Sequence, residues 1–295
     1  MATKQARREA TAAWVMLTPS LIGVGIFLIV PLIFVIALSF MHWNLISDPT
    51  WIGLANYRRL AGSAKFWNSL TVTGLFTAIA IPTSIVCGLL IALGLNRKLP
   101  GSGLIQLIYV LPWVCAPLTL GVVWSWMLSP REGLVNAVLG THFRFISDPS
   151  MALVTVAFVY VWQNVGYISL FFLAGLQNIP SSVLEAAKLD GAGPIRMVWS
   201  MILPLLRPTM FFVLVTQMIA SFQVFDLVYG LTGGSPGYPK GSTDVIAANI
   251  YQNANATPPN MGPASAAAVI LLIFIVSITL LQQRYFSSRM TYDMT

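Results

Sequence analysis

Tyr160, Gln163, Asn164 and Tyr167 recur at helical spacing inside a stretch, 149–184, that carries no charge. Amides on such a stripe can hydrogen-bond hydroxyl groups, while aromatic faces can lie against the C–H face of a carbohydrate ring. In a lipid-embedded helix the same amides also bond neighbouring helices, so the stripe supports two readings, a solute path or interhelical packing. Gln217 and Ser221 repeat the pattern at i and i+4 on a later apolar stretch, with Gln223 on another face. Trp124 is a further path candidate, although tryptophans toward the end of an apolar helix, like Trp124 and Trp126, also serve as interfacial anchors. Asp226 lies about 27 Å along a helix from Pro208 at 1.5 Å per residue, and is expected to pack against an outer loop.

Other chemistries have no residues to carry them. No G-x-x-x-x-G-K-S/T loop occurs, so the chain does not hydrolyse ATP by itself. The two histidines, His42 and His142, form no H-E-x-x-H pair, and there is no G-x-S-x-G elbow. No catalytic residue, metal or cofactor is expected. Ion-driven carriers place acids or histidines within their spans, so energy for uphill movement would enter through another subunit. Cys87 and Cys115 lie in apolar stretches and read as small hydrophobes. The net charge of +7 reflects only nine acids against sixteen bases, with no dense basic face of the kind nucleic acids require.

The elements that must position these residues follow from composition. With 57% hydrophobic and 8% charged residues the chain cannot cover a soluble core, and it reads as a polytopic, all-α membrane protein. Intervals between charges allow six spans, near 14–41, 68–95, 104–129, 151–176, 205–229 and 264–284. The first is too long for a signal-peptide core and is read as a retained helix. Kinks are expected at Pro19, Pro31, Pro82, Pro112 and Pro117. Ten Lys and Arg, among them Lys98 and Arg289, fall on the side that holds both termini, against six on the other, so both ends are expected in the cytoplasm.

The largest cytoplasmic loop, 178–207, departs from membrane logic. Ser182 and Glu185 match an S-x-x-E capping box, good helix formers follow, and Gly191 sits where a helix should stop. A second amphipathic helix is expected over about 195–203. The bland alternative is a simple elbow between spans.

Glu185-Ala186-Ala187, three residues, Gly191, nine residues, then a run ending Leu203-Pro204 resembles the E-A-A-x3-G-x9-I-x-L-P signature of permease subunits in binding-protein-dependent ATP-binding-cassette importers. Met201 replaces the Ile, an apolar exchange of similar size. Ser39-Phe40, Asn56-Tyr57, Phe66-Trp67 and Phe225-Asp226 leading to Thr232-Gly233-Gly234 are similar to the carbohydrate-uptake branch, the maltose and glycerol-3-phosphate type.

The resemblance implies a MetI-like type I transmembrane domain: a tail, first helix and external loop over 1–67, a core over 68–284 with its coupling loop, and a cytoplasmic tail over 285–295. It implies a permease in a prokaryotic inner membrane, partnered by an ATPase homodimer, a second six-helix permease and an extracytoplasmic solute-binding lipoprotein. Ala186, Ala187 and Gly191 would give the ATPase close approach. Glu185 would cap and contact, Asp190 would make a polar contact, and Leu203-Pro204 would anchor the loop. On helix five the resemblance favours Ser221 and Gln223 as solute contacts over Gln217. The solute could be a saccharide, an amino sugar, a polyol or a glycerophosphodiester. A self-sufficient secondary carrier or channel is the alternative, and neither paired half-structures nor buried acids mark it.

Overall fold

The structure, a computed structural model, describes residues 4–97 and 100–287, so Lys98, Arg289 and most of the 285–295 tail lie outside the described residues. The chain forms two compact units, residues 1–63 with 250–270, and residues 64–249 with 271–295.

In the first unit, α1 (Lys4–Val24) runs through a π-helical turn (Gly25–Ile29) into α2 (Val30–Ser39). The expected kinks do not break it, and Thr11–Ser39 remains one apolar span of 29 residues. Pro31 falls in the first turn of α2, where its missing N–H matters little, and the wider π turn ahead of it accommodates the ring. Trp14, Phe27 and Leu28 are exposed along this span, an apolar surface suited to lipid or to another membrane helix. A two-stranded antiparallel pair follows, β1 (Met41–His42) with β2 (Thr50–Trp51), and then α3 (Ala55–Ala61). Asn56 on α3 is fully buried and donates from Nδ2 to the carbonyls of Ser39 and Met41, at 2.9 and 2.8 Å. Tyr57 Oη meets Ser39 Oγ at 2.7 Å. The Ser39-Phe40 and Asn56-Tyr57 pairs thus form one polar clasp.

The second unit is built on α4 (Ala64–Leu95) packed along α8 (Pro149–Gln177). Between them lie α5 (Ser102–Val114), α6 (Pro117–Met127) and a short α7 (Leu134–Leu139). The continuous helix expected over 104–129 is in fact two helices bent by 98°. Pro117 disfavours helical geometry at the residue before it, and Cys115 and Ala116 are both extended, with ψ of 144° and 128°. Asp148 caps α8, its Oδ1 accepting from Ser150 N, and the Ser150 hydrogen bonds hold its carboxyl below the usual range.

After α8 come α9 (Ser181–Leu189), α10 (Pro194–Met197), a π turn (Val198–Ile202) and α11 (Leu203–Leu205). The chain then turns by 72° into α12 (Arg207–Phe222). The helix expected over 205–229 stops at Phe222, and a new one, α13 (Asp226–Leu231), begins after a three-residue break. Finally α14 (Ile246–Ala254) and α15 (Met261–Ser287) run across the division between the units. Among the described residues four helices are long and apolar enough to cross a bilayer, and the number rises to six when each bent pair is taken as one span.

Two apolar clusters hold the second unit. Phe76, Val156, Val159, Leu227 and Val228 centre one of them. Ile168, Phe172, Leu176, Ala187, Ile202 and Leu206 centre the other, which ties the loop after α8 to the spans.

Candidate functional site

The helix breaks bring three elements around one cavity of about 210 Å³. Trp113 and Pro117 line it from the α5–α6 bend, Tyr160, Gln163 and Asn164 from α8, and Ala220, Gln223, Phe225 and Asp226 from the α12–α13 break. Glycines set this frame. A Cβ on Gly166 of α8 would lie only 1.8 Å from the Tyr109 carbonyl oxygen, so α5 rests directly on α8 backbone. Gly121 and Gly230 face each other in the same way, and a Cβ on Gly121 would come within 2.7 Å of the Leu227 carbonyl, so α13 is drawn tightly onto α6.

Hydrogen bonds fix the polar lining. Gln163 Nε2 donates to the Cys115 carbonyl that the bend releases, at 3.4 Å. Asn164 Nδ2 donates to Tyr160 O at 2.9 Å, and the Tyr160 hydroxyl donates to Gln217 Oε1 at 3.1 Å. Among the described residues the Gln223 amide and the Asp226 carboxylate make no hydrogen bond within the chain, and both are exposed where they line the cavity. Trp113 stacks on Tyr167 with ring centroids 4.1 Å apart.

Of the stripe on α8, then, Tyr160, Gln163 and Asn164 line the cavity, and Tyr167 sits behind Trp113. Gln217 and Ser221 do not reach the lining. Both are buried, Gln217 beneath Tyr160 and Ser221 accepting from Thr77 Oγ1 at 3.1 Å, so they bond helix to helix. Trp124 also lies elsewhere, set edge-on against Trp162 and Phe158 at 5.2 and 5.8 Å. Asp226, expected against an outer loop, lines the cavity because α12 stops short of it. Trp113 escaped the sequence reading, and its placement beside the Pro112 to Pro117 interruption was the available signal.

The loop 178–207 is a second candidate region. Pro180, not Ser182, precedes the first helical residue of α9, and no side chain caps it, so the expected capping box is not made. Helix α9 starts early enough to place Ser182 within its first turn, out of register for a cap. At the other end Gly191 has φ of +75°. Its N–H bonds Lys188 O and the Ala192 N–H bonds Ala187 O, both at 3.0 Å, which is a Schellman closure. Ala187 is 5% exposed and packs inward, so it anchors α9 to its own spans instead of admitting a partner. Anchoring further along falls to the buried Ile202 and Leu206, with Leu203 and Pro204 half-buried. Glu185, Ala186, Asp190 and Gly191 are exposed, and Leu189 at 90% and Trp199 at 70% add an apolar outer face.

Residues 84–292 match the family described as binding-protein-dependent transport system inner membrane component. The chain is 33% identical over 245 residues to the sn-glycerol-3-phosphate transport system permease protein UgpA of Agrobacterium fabrum, covering 82% of each. It is 31% identical over 286 residues to the trehalose/maltose transport system permease protein MalF of Thermococcus litoralis, covering 95% of each. Its fold matches a chain in the crystal structure of a bacterial ABC transporter that imports the acidic polysaccharide alginate, with a TM-score of 0.80 at 24% identity over 97% of this chain and 98% of that one.

Proposed function

Since this chain belongs to the family of binding-protein-dependent transport system inner membrane components, we propose that it passes a sugar or sugar-like solute through the cavity lined by Asn164 and Gln223. It is a permease subunit and not an enzyme, as its relatives are, and ATP hydrolysis belongs to a separate subunit. The observation that carries the solute reading is the convergence of amides, a carboxylate and aromatic rings where three helical elements break or bend. Apolar spans gain nothing from such a lining unless a hydrogen-bonding solute or water meets it.

The loop 178–207 is the contact for the ATPase in this reading. Its exposed Glu185, Ala186, Leu189, Asp190 and Gly191 offer a partly apolar face, and the Schellman closure and the Ala187 anchor make α9 a rigid lever. ATP-driven closure of the partner would move that lever and bias the spans between two states, which is alternating access. The remaining partners are an ATPase homodimer, a second six-helix permease and an external solute-binding lipoprotein. The core over 68–284 supplies pathway and lever. The membrane is a prokaryotic inner membrane with both termini in the cytoplasm, as the asymmetry of basic residues supports.

The test is reconstitution with an ATPase, a second permease and a solute-binding protein from the same organism. Saccharide-loaded binding protein should stimulate ATP hydrolysis several-fold and drive uptake into liposomes. Uptake that proceeds without any ATPase would overturn the reading in favour of a self-sufficient carrier.

A further inference from the structure

We infer that the cavity selects for neutral or cationic polyhydroxyl solutes and turns away anionic ones, with Asp226 as the deciding group. This rests on the reading of the cavity as the solute path. Among the described lining residues Asp226 carries the fixed charge, and no Lys, Arg or His joins it. Its carboxylate has no hydrogen bond or ion pair among the described residues, so none of them neutralises it.

The hydrogen-bonding polarity points the same way. Three lining donors are engaged by the protein: the Tyr160 hydroxyl by Gln217 Oε1, the Gln163 amide N–H by Cys115 O, and the Asn164 amide N–H by Tyr160 O. Backbone carbonyls accept only, so they fix both amides with nitrogen toward the chain, each keeping its oxygen and a second N–H. Acceptors left over are Asn164 Oδ1, Gln163 Oε1 and both oxygens of Asp226, beside the second N–H of each amide and the Trp113 indole N–H, so the carboxylate sets the balance. Gln223 offers a whole amide, oxygen and both N–H groups, with no partner among the described residues.

Asp226, which only accepts, matches a solute that donates, such as one bearing sugar hydroxyls or an ammonium group. The Trp113 ring, backed by Tyr167, adds a face for C–H groups or for a cation. A phosphate or uronate carboxylate brings oxygen acceptors and a like charge against the Asp226 carboxylate. At contact distance, well inside a Debye length, salt screens that repulsion little. The solutes compatible with this chain thus narrow to neutral saccharides, polyols and amino sugars, and glycerophosphodiesters drop out.

The reconstituted complex, with its own binding protein, is assayed for uptake of labelled trehalose, sorbitol, glucosamine, glycerol-3-phosphate and galacturonate. At least one uncharged or ammonium-bearing probe should be taken up tenfold or more faster than either anion. Asp226→Asn should lower uptake of the accepted probe threefold to tenfold, with the complex recovered in normal yield. Transport of glycerol-3-phosphate or galacturonate by the wild-type complex would overturn the inference while leaving the importer reading intact. Full uptake by a well-assembled Asp226→Asn complex would overturn it as well. Uptake of none of the five probes would instead defeat the sugar reading beneath it. If Asp226→Asn fails to assemble, the wild-type probe series alone decides.

Discussion

In the loop 178–207 the polar groups face outward and a few apolar side chains, Ala187, Ile202 and Leu206, lock it to the spans. Around Asn164 the arrangement is inverted, for the polar groups face a cavity and the apolar ones form its outer walls. The loop is held by local backbone bonding, the Schellman pair at Gly191 and Ala192. The cavity is held by glycine-sized approaches between helices far apart in sequence, Gly166 on Tyr109 and Gly121 on Gly230. On the proposed reading the difference is functional: a lever has to be stiff by itself, whereas a solute path is only as well shaped as the helices that frame it.

Replacing Gly166 by alanine should have the largest effect. The new Cβ meets a backbone carbonyl that cannot rotate away, so α5 must leave α8, at a cost of about 3 kcal/mol, the upper end for overpacking. Thermal unfolding of the detergent-solubilised complex should fall sharply and uptake should vanish. An unchanged melting temperature would show that the cavity does not depend on this contact.

Gly191→Val should act at the loop and spare the spans. No atom lies within 4 Å of a Cβ there, so the cost is the positive φ, about 1–2 kcal/mol, confined to the end of α9. The permease should be recovered from the membrane in normal yield while co-purification of the ATPase drops. Gly193→Val, at a φ of −68°, is the matched control and should leave both readouts near wild type. Equal loss in the two variants would mean that the positive φ at Gly191 is not what the ATPase contact depends on.

Within the second unit, leucine substitutions separate lining from packing. Asn164→Leu and Gln223→Leu should cut solute-stimulated ATP hydrolysis about threefold to tenfold with little change in stability. Gln217→Leu strands the buried Tyr160 hydroxyl and should cost about 0.6 kcal/mol of stability while leaving solute dependence alone. The reverse pattern would place the solute path beneath Tyr160.

The smallest effect belongs to neither region and serves as their control. Asp244, in the segment between α13 and α14, accepts from Ser69 Oγ at 3.0 Å, and burial raises its pKa above 3.8. A carboxyl with a raised folded-state pKa contributes stability that is complete below the unfolded value and lost as pH climbs through the folded one. Melting temperature should therefore decline slightly from about pH 4 upward, and Asp244→Asn should flatten that slope. A slope unchanged by the substitution would assign it to another group.

Much of the loop was legible because its signals are local. Gly191 needs a positive φ wherever the helix ends, and the spacing from Glu185 to Pro204 announces the same element before any contact is known. The misplaced cap shows the limit, since Pro180 starts α9 early and leaves Ser182 inside it. Ala187 looked like a docking residue because small size alone does not say which side of a helix faces home.

Six apolar spans, the sides on which charge accumulates, the lack of nucleotide-binding machinery and the polar stripe on α8 all follow from residue type and period, which the chain carries without folding. Tertiary structure alone decided which polar residues share a space. Helix periodicity treats 104–129 and 205–229 as straight rods, yet Pro117 bends the first by 98° and the second stops at Phe222. Those two interruptions bring Trp113 and Asp226 to Asn164 and leave Gln217, Ser221 and Trp124 in the packing. The reason is physical: a hydrogen-bonding side chain in lipid must find a partner, and whether that partner is a helix or a solute depends on gaps between helices that no single helix encodes.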